Sequence, residues 1–241
     1  MRSASLDAAA RVAPFNLPFA SAALASAAQQ RPSYSEAAVL VAIVFGWFIL
    51  SSVFAALDGF PTPAAFSDAS LIGLMVTELV LGAMALSFLR FRGHALKDLL
   101  PAPDWRGAME GTVLCGAAII ACGVVNALLP SNPGAVDPVA QMLAQAKPSL
   151  TVALAASVLN GLYEETFLLG YLVRGFASFG ASFALGLSVL VRVLYHLYQG
   201  PAGAVSIVVF GIMLGVSYWR TRRLWPAVVA HILADIIGLS W

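Results

Sequence analysis

The chain has 241 residues, of which 60% are hydrophobic and only 10% carry a charged side chain. An ordinary soluble domain has about 25% charged residues, so this composition predicts a polytopic membrane protein in contact with a lipid bilayer. The formal net charge of +1 gives no reason to expect nucleic acid as a partner.

The first 35 residues differ from the rest of the chain. They are rich in Ala and Ser, and their apolar stretch is short and interrupted by Pro14 and Pro18. Proline breaks a helix interior, and a membrane span needs about 20 apolar residues. We therefore expect residues 1–35 to form a disordered or interfacial tail, and residues 36–241 to form the membrane domain.

Seven apolar segments follow the tail, each near the length of about 17–25 residues that a membrane-spanning helix requires. Clusters of Pro and Gly separate most of them. The segments cover residues 37–57, 70–89, 108–129, 150–173, 181–199, 203–219 and 224–240. The predicted fold is all-α, a polytopic membrane helix bundle of about seven transmembrane helices around a polar cavity reached from the cytoplasmic side.

Basic residues lie mainly in alternate connections. The second, fourth and sixth connections carry Arg90, Arg92, Lys97, Arg106, Arg174, Arg220, Arg222 and Arg223. The first and fifth carry none, and the third carries only Lys147. Because cytoplasmic connections are enriched in Lys and Arg, the N-terminus should be cytoplasmic and the C-terminus should lie on the far side. The Ala-rich composition suits a bacterium, so we expect the inner (cell) membrane.

Ionisable residues lie within three consecutive apolar segments. They are Glu164 with Glu165, then His196, then His231 with Asp235 four positions later. Charged groups are costly in hydrocarbon and usually functional there, and this set has the parts needed to activate a water and stabilise an oxyanion. The alternatives are structural glutamates bonded to neighbouring helices and an interfacial histidine beside two tyrosines.

The order and context of these residues resemble the motifs of the CPBP family of intramembrane proteases (the ABI family), which includes the CAAX prenyl endopeptidase. The family motifs are a Glu-Glu pair followed by three residues and Arg, then Phe-x-x-x-His, then His followed four positions later by Asn or Asp. The resemblance covers about residues 150–240, so we take these as the motif-bearing core.

The resemblance implies an intramembrane endopeptidase, a hydrolase that cleaves a membrane-bound peptide or protein, lipidated or not, with a glutamate-activated water. Glu164 and His196 would activate the water, His231 and Asp235 would stabilise the oxyanion, and Glu165 would support the site. We assign no cofactor and no metal, although two histidines and acidic groups could in principle bind zinc, and a divalent metal stays open.

Two positions depart from the family pattern. Leu169 occupies the place of the motif arginine, and Arg192 occupies the place of the motif phenylalanine. We hypothesise that Arg192 supplies the missing cation, pairs with Glu165 and leaves Glu164 free to act as the base. The alternative is that Arg192 extends toward an interface. Counting along straight helices also places His196 deeper than His231 by roughly 10 Å.

Two other functions remain open at this point. One is a non-catalytic membrane scaffold on the same fold, which the two departures would permit. The other is a proton-coupled transporter, for which Glu78 and the motif residues could form a path. The chain has no evident inverted repeat of the kind that transporters often contain.

Overall fold

The computed structural model describes residues 32–60, 66–128, 138–145 and 148–239. The predicted tail lies outside the described residues except at its end. There the first helix already begins at Tyr34, after Ser33 accepts a hydrogen bond from the backbone N–H of Glu36.

The described part of the chain is helical and contains no strand. The helices are α1 (Tyr34–Leu57), α2 (Asp68–Phe91), α3 (Trp105–Leu128), α4 (Pro138–Ala144), α5 (Leu150–Glu165), α6 (Ala181–His196), α7 (Gly200–Thr221) and α8 (Trp225–Leu239). A π-helical segment, Thr166–Val173, continues α5, and short 3₁₀ turns lie at Leu96–Asp98, Ala177–Phe179 and Leu197–Gln199. The predicted all-α membrane bundle is confirmed.

Five helical stretches of the described chain are long and apolar enough to cross a membrane. One of them, Ala181–Thr221, contains both α6 and α7. Gly211 of α7 faces Arg192, whereas Gly215 faces Leu185, so the two helices run antiparallel as a hairpin. Each of the seven predicted segments therefore holds one helix, but α6 has only 16 residues and α8 only 15.

Polar contacts at one end of the bundle join the arginine-rich connections. Arg92 binds Glu36, Arg174 binds Asp98, and Arg223 binds Asp104. Asp104 also accepts the backbone N–H of Gly107 in the first turn of α3. This backbone bond, together with the Arg223 guanidinium, holds the pKa of the Asp104 carboxyl below its ordinary value.

Small residues bring α8 against its neighbours. A Cβ atom on Gly161 of α5 would lie 2.8 Å from Ile232 Cγ1, and one on Gly111 of α3 would lie 2.6 Å from the carbonyl oxygen of Pro226. Such close approach is the usual role of small residues between membrane helices. It places the face of α8 that carries His231 directly on α5.

Candidate active site

Arg192 of α6 contacts both glutamates of α5. Its Nη1 donates to Glu164 Oε2 at 3.0 Å and its Nη2 donates to Glu165 Oε1 at 2.6 Å. All three side chains are buried, and Gly211 of α7 leaves the space beside the Arg192 Cδ atom. The structure therefore contains the Arg192–Glu165 pair expected from sequence, but the same guanidinium also binds Glu164, which was expected to be free of it.

Glu164 has a second donor on the same helix. The hydroxyl of Tyr195, three residues after Arg192, donates to Glu164 Oε2. The Tyr195 ring stacks on Phe45 of α1, with ring centroids 4.8 Å apart. Both bonded donors thus reach one oxygen of the carboxylate, Oε2, and neither uses Oε1.

His231 lies between the two glutamates and Asp235. Its Nδ1 is 2.6 Å from Glu165 Oε1, and since a carboxylate accepts, Nδ1 carries the proton. Its Nε2 lies 3.8 Å from Glu164 Oε2 and 3.6 Å from Asp235 Oδ1, too far for hydrogen bonds. Glu165 therefore orients the imidazole so that Nε2 points toward the other two carboxyl groups.

Asp235 is held from the opposite side by Asn160, whose Nδ2 donates to Asp235 Oδ2 at 2.8 Å. Asn160 lies on α5 one turn before Glu164, on the same face of that helix. The α5–α8 contact therefore brings together four of the predicted residues, Glu164, Glu165, His231 and Asp235.

His196 takes a different position. It is the last residue of α6 and is half-buried. Its Nδ1 donates to the carbonyl oxygen of Arg192 at 2.9 Å, which leaves Nε2 as an acceptor. Among the described residues no hydrogen bond joins His196 to Glu164, so any shared action of the two requires a molecule between them.

A cavity of about 250 Å³ provides that space. Its polar wall contains Glu164, His196, Asp235, Asn160 and Glu78. The remaining wall is largely apolar, with α1 and α2 contributing Phe45, Phe48, Leu71 and Leu74. Of the four residues predicted to activate the water or stabilise the oxyanion, Glu164, His196 and Asp235 line this cavity. His231 is not in the lining, but its Nε2 lies within 4 Å of both Glu164 and Asp235.

The cavity reaches the end of the bundle opposite the arginine-rich connections. Its lining includes Phe66 before α2, Met142 in α4, Gln199 after α6 and Leu239 at the end of α8. Because successive helices alternate in direction, these four residues share one end. The lining therefore lies toward the end opposite the arginine-rich connections, whereas access was expected from the cytoplasmic side, which these arginines are predicted to mark.

Three of the site residues could in geometry serve as metal ligands. Glu164, Glu165 and His231 each offer a ligand atom, and these atoms lie within 4.8 Å of one another. However, the Arg192 guanidinium binds both carboxylates, and Glu165 Oε1 already serves Arg192 and His231. A divalent cation would face this fixed positive charge and compete for the same oxygens, so the donor set does not fit a metal.

Several residues of the site carry weaker sequence signals than the motif residues. Asn160 and Tyr195 are common polar residues in apolar helices, and Gly211 contributes only space. Glu78, which the sequence suggested only as part of a transport path, lines the cavity. From sequence, only helical spacing could have identified two of these residues as part of the site. Asn160 is one turn from Glu164, and Tyr195 is less than one turn from Arg192.

The fold and site define an integral membrane protein with a buried acid–base cluster beside an apolar cavity. Residues 146–237 match the family model described as Type II CAAX prenyl endopeptidase Rce1-like. This segment, which is less than half of the chain, is similar to the CPBP/CAAX protease family, and the resemblance predicted from the motifs is confirmed over these residues. No curated protein and no solved structure matches the chain.

Proposed function

We propose that the protein is an intramembrane endopeptidase that hydrolyses a peptide bond of a membrane-associated peptide or protein. The observation that carries this proposal is the common cavity of Glu164, His196 and Asp235, beside an apolar wall. The family match supports the same reaction class. An apolar substrate segment, lipidated or not, suits the aromatic and aliphatic side chains of α1 and α2.

In the proposed mechanism a water molecule lies between Glu164 and His196. Neither Arg192 nor Tyr195 bonds Glu164 Oε1, so this atom is free to take a proton from the water. The oxygen of the water then attacks the carbonyl carbon of the peptide bond. His196 Nε2 accepts a second hydrogen bond from the water and orients it. The carbon–nitrogen bond then breaks, and the proton on Glu164 passes to the leaving amine.

The oxyanion formed by this attack needs hydrogen-bond donors. His231 is placed to supply one, since Glu165 holds its Nδ1 and Nε2 points toward Glu164 and Asp235. In its protonated form His231 would donate from Nε2 to the oxyanion. Asp235, itself held by Asn160, would position that imidazole and stabilise its charge.

The test uses the purified protein in liposomes with two fluorogenic peptides, one farnesylated at a C-terminal CAAX sequence and one identical but unprenylated. We expect cleavage of at least one peptide by the unaltered protein and none by Glu164→Gln, because the amide cannot accept the proton. Glu110→Gln is the matched control, since Glu110 is an exposed carboxylate bound by Arg223. Equal product from the unaltered protein and Glu164→Gln would contradict the proposal.

One observation favours a non-catalytic scaffold as the second candidate. Arg192 lies where the family motif has phenylalanine, and its guanidinium donates a hydrogen bond to the proposed base, Glu164. A scaffold would cleave neither peptide and would keep its function in cells after Glu164→Gln, whereas a protease would lose its function with that change.

A further inference from the structure

Glu78 lies in the middle of α2, outside the segment that matches the protease family. The residue is only 2% exposed, and it lines the same cavity as Glu164, His196 and Asp235. Its Oε2 atom has no hydrogen-bond partner among the described residues. A buried carboxyl oxygen without a partner is unusual, because burial removes the water that would otherwise bind it.

Contacts one turn further along α2 fix this position. A Cβ atom on Gly82 would lie 3.4 Å from Tyr163 Cε2, so the backbone of α2 packs directly on α5. The hydroxyl of Tyr163 donates to the carbonyl oxygen of Val44 at 2.7 Å, which commits its proton to α1 rather than to Glu78. The packing therefore holds Glu78 at the cavity wall without giving its Oε2 a partner.

The charges around the cavity affect whether the Glu78 carboxyl group is protonated. Arg192 binds Glu164 and Glu165, and no cationic side chain of the described residues forms an ion pair with Glu78. Two further carboxyl groups, Glu164 and Asp235, face the same space. A third negative charge without a counter-ion would be repelled there and poorly solvated, so we expect Glu78 to be a neutral carboxylic acid.

We propose that Glu78 is a substrate-binding residue whose carboxyl O–H donates a hydrogen bond to a main-chain carbonyl oxygen of the peptide in the cavity. This inference rests on the proposed function, since it takes a peptide as the occupant of the cavity. A peptide main chain would supply the partner that the protein does not. Glu78 then fixes the depth at which the substrate lies relative to Glu164.

Two substitutions separate hydrogen bonding from the other properties of the side chain. Glu78→Gln keeps the shape and an N–H donor, whereas Glu78→Leu keeps a similar volume without any donor. Binding of the farnesylated peptide, labelled with a fluorophore, is measured by anisotropy in a Glu164→Gln background that does not turn over. We expect Glu78→Leu to weaken binding by about tenfold or more and Glu78→Gln to bind within about threefold of the parent.

The form of the carboxyl group is tested without substrate. N,N′-Dicyclohexylcarbodiimide enters apolar sites and reacts with protonated carboxyl groups, and mass spectrometry locates the adduct. We expect an adduct on Glu78 and none on Glu36. Glu36 is the matched control because it is also buried but accepts hydrogen bonds from Arg92, His94 and Tyr171. No adduct on Glu78, or equal labelling of both residues, would overturn the inference that Glu78 is a neutral carboxylic acid.

The outcomes separate this inference from the proposed function. Peptide binding that depends on Glu78, without cleavage by the unaltered protein, would reject the protease and support the role of Glu78. Cleavage with equal binding by the parent, Glu78→Leu and Glu78→Gln would reject only the role of Glu78. Binding of the peptide by none of the variants would overturn the inference as well.

Discussion

Arg192 is buried at 1% exposure and binds two carboxylates through separate nitrogens. Removing one partner of a buried ion pair leaves an uncompensated charge, which costs about 3–5 kcal/mol in soluble proteins. We predict that Arg192→Phe lowers the unfolding temperature of the detergent-solubilised protein and its activity, and that adding Leu169→Arg restores part of both. The double substitution recreates the family pattern at these two positions.

Arg220→Phe serves as the control for this pair, because Arg220 is exposed at the end of α7. The hypothesis that Arg192 replaces the motif arginine is wrong if Arg192→Phe is as harmless as Arg220→Phe. It is also wrong if the double variant is no more stable or active than Arg192→Phe alone.

Glu164 and Asp235 should respond differently to amide substitution. We predict that Glu164→Gln lowers kcat by about 10²- to 10⁴-fold, the usual contribution of a general base, which brings cleavage below detection. Asp235→Asn should be tolerated better, since an amide oxygen can still accept the bond from Asn160. Cleavage rates of the fluorogenic peptide measure both, and equal losses in the two variants would contradict this division of roles.

At the level of single residues, the sequence predicted the Arg192–Glu165 contact because an arginine in hydrocarbon needs a carboxylate and the two helices are consecutive. It could not predict that the fork of the guanidinium also reaches Glu164, since this depends on the rotation of α6. Asn160 and Tyr195 likewise depend on rotation and on packing against α8 and α1. Their residue types alone do not distinguish them from other polar residues.

Helix α8 depends on glycine for its contact with α5. A side chain at Gly161 would collide with Ile232, the neighbour of His231. We predict that Gly161→Ala destabilises the protein by about 1–3 kcal/mol, as overpacking does, and reduces cleavage by moving His231 away from Glu165. Gly116→Ala in α3 meets nothing within 4 Å and is the matched control.

Gly116→Ala should be neutral or slightly stabilising, because alanine has a higher helix propensity than glycine. Thermal unfolding in detergent and peptide cleavage measure both variants. If Gly161→Ala behaves like Gly116→Ala in both measurements, the α5–α8 contact does not position the site.

At the level of elements, hydrophobic length predicted most helices to within a few residues, because a span must match the bilayer. The segment predicted at 150–173 coincides with α5 and its π-helical continuation. Composition did not predict the π-helical hydrogen bonding, since Thr166–Val173 is as apolar as the residues around it. Nor did it predict α4, whose seven residues are too few for a recognisable period.

The two histidines occupy different positions along their helices. His196 ends α6 beside a 3₁₀ turn near the open end of the cavity, whereas His231 is the seventh residue of α8. His196 lines the cavity, whereas His231 contacts it only through Glu164 and Asp235, which lie within 4 Å of its Nε2.

For the molecule as a whole, the positive connections predict the orientation. We predict that a tag at the N-terminus is cytoplasmic and that a tag after Trp241 lies on the far side. Since the cavity reaches the end opposite the arginines, a cysteine at Gln199 should react with a membrane-impermeant maleimide added from outside intact cells. The background replaces Cys115 and Cys122, the two cysteines of the chain, by alanine.

A cysteine at Thr221, among the arginines, is the matched control and should react only after the membrane is opened. The reverse pattern would place the arginine-rich connections outside the cytoplasm. Both tags on one side of the membrane would require a different number of spans.

The Arg192 contacts have a consequence for how the chain enters the membrane during synthesis. Helix α6 is short, and Arg192 lies four residues before its end; an arginine opposes insertion by up to about 2.5–3.5 kcal/mol on the translocon scale, the value for a helix centre. Its two counter-ions lie on α5, which leaves the ribosome first. We therefore expect α5 and α6 to enter the bilayer together as one hairpin, so that the residues of the site also decide the order in which the bundle is assembled.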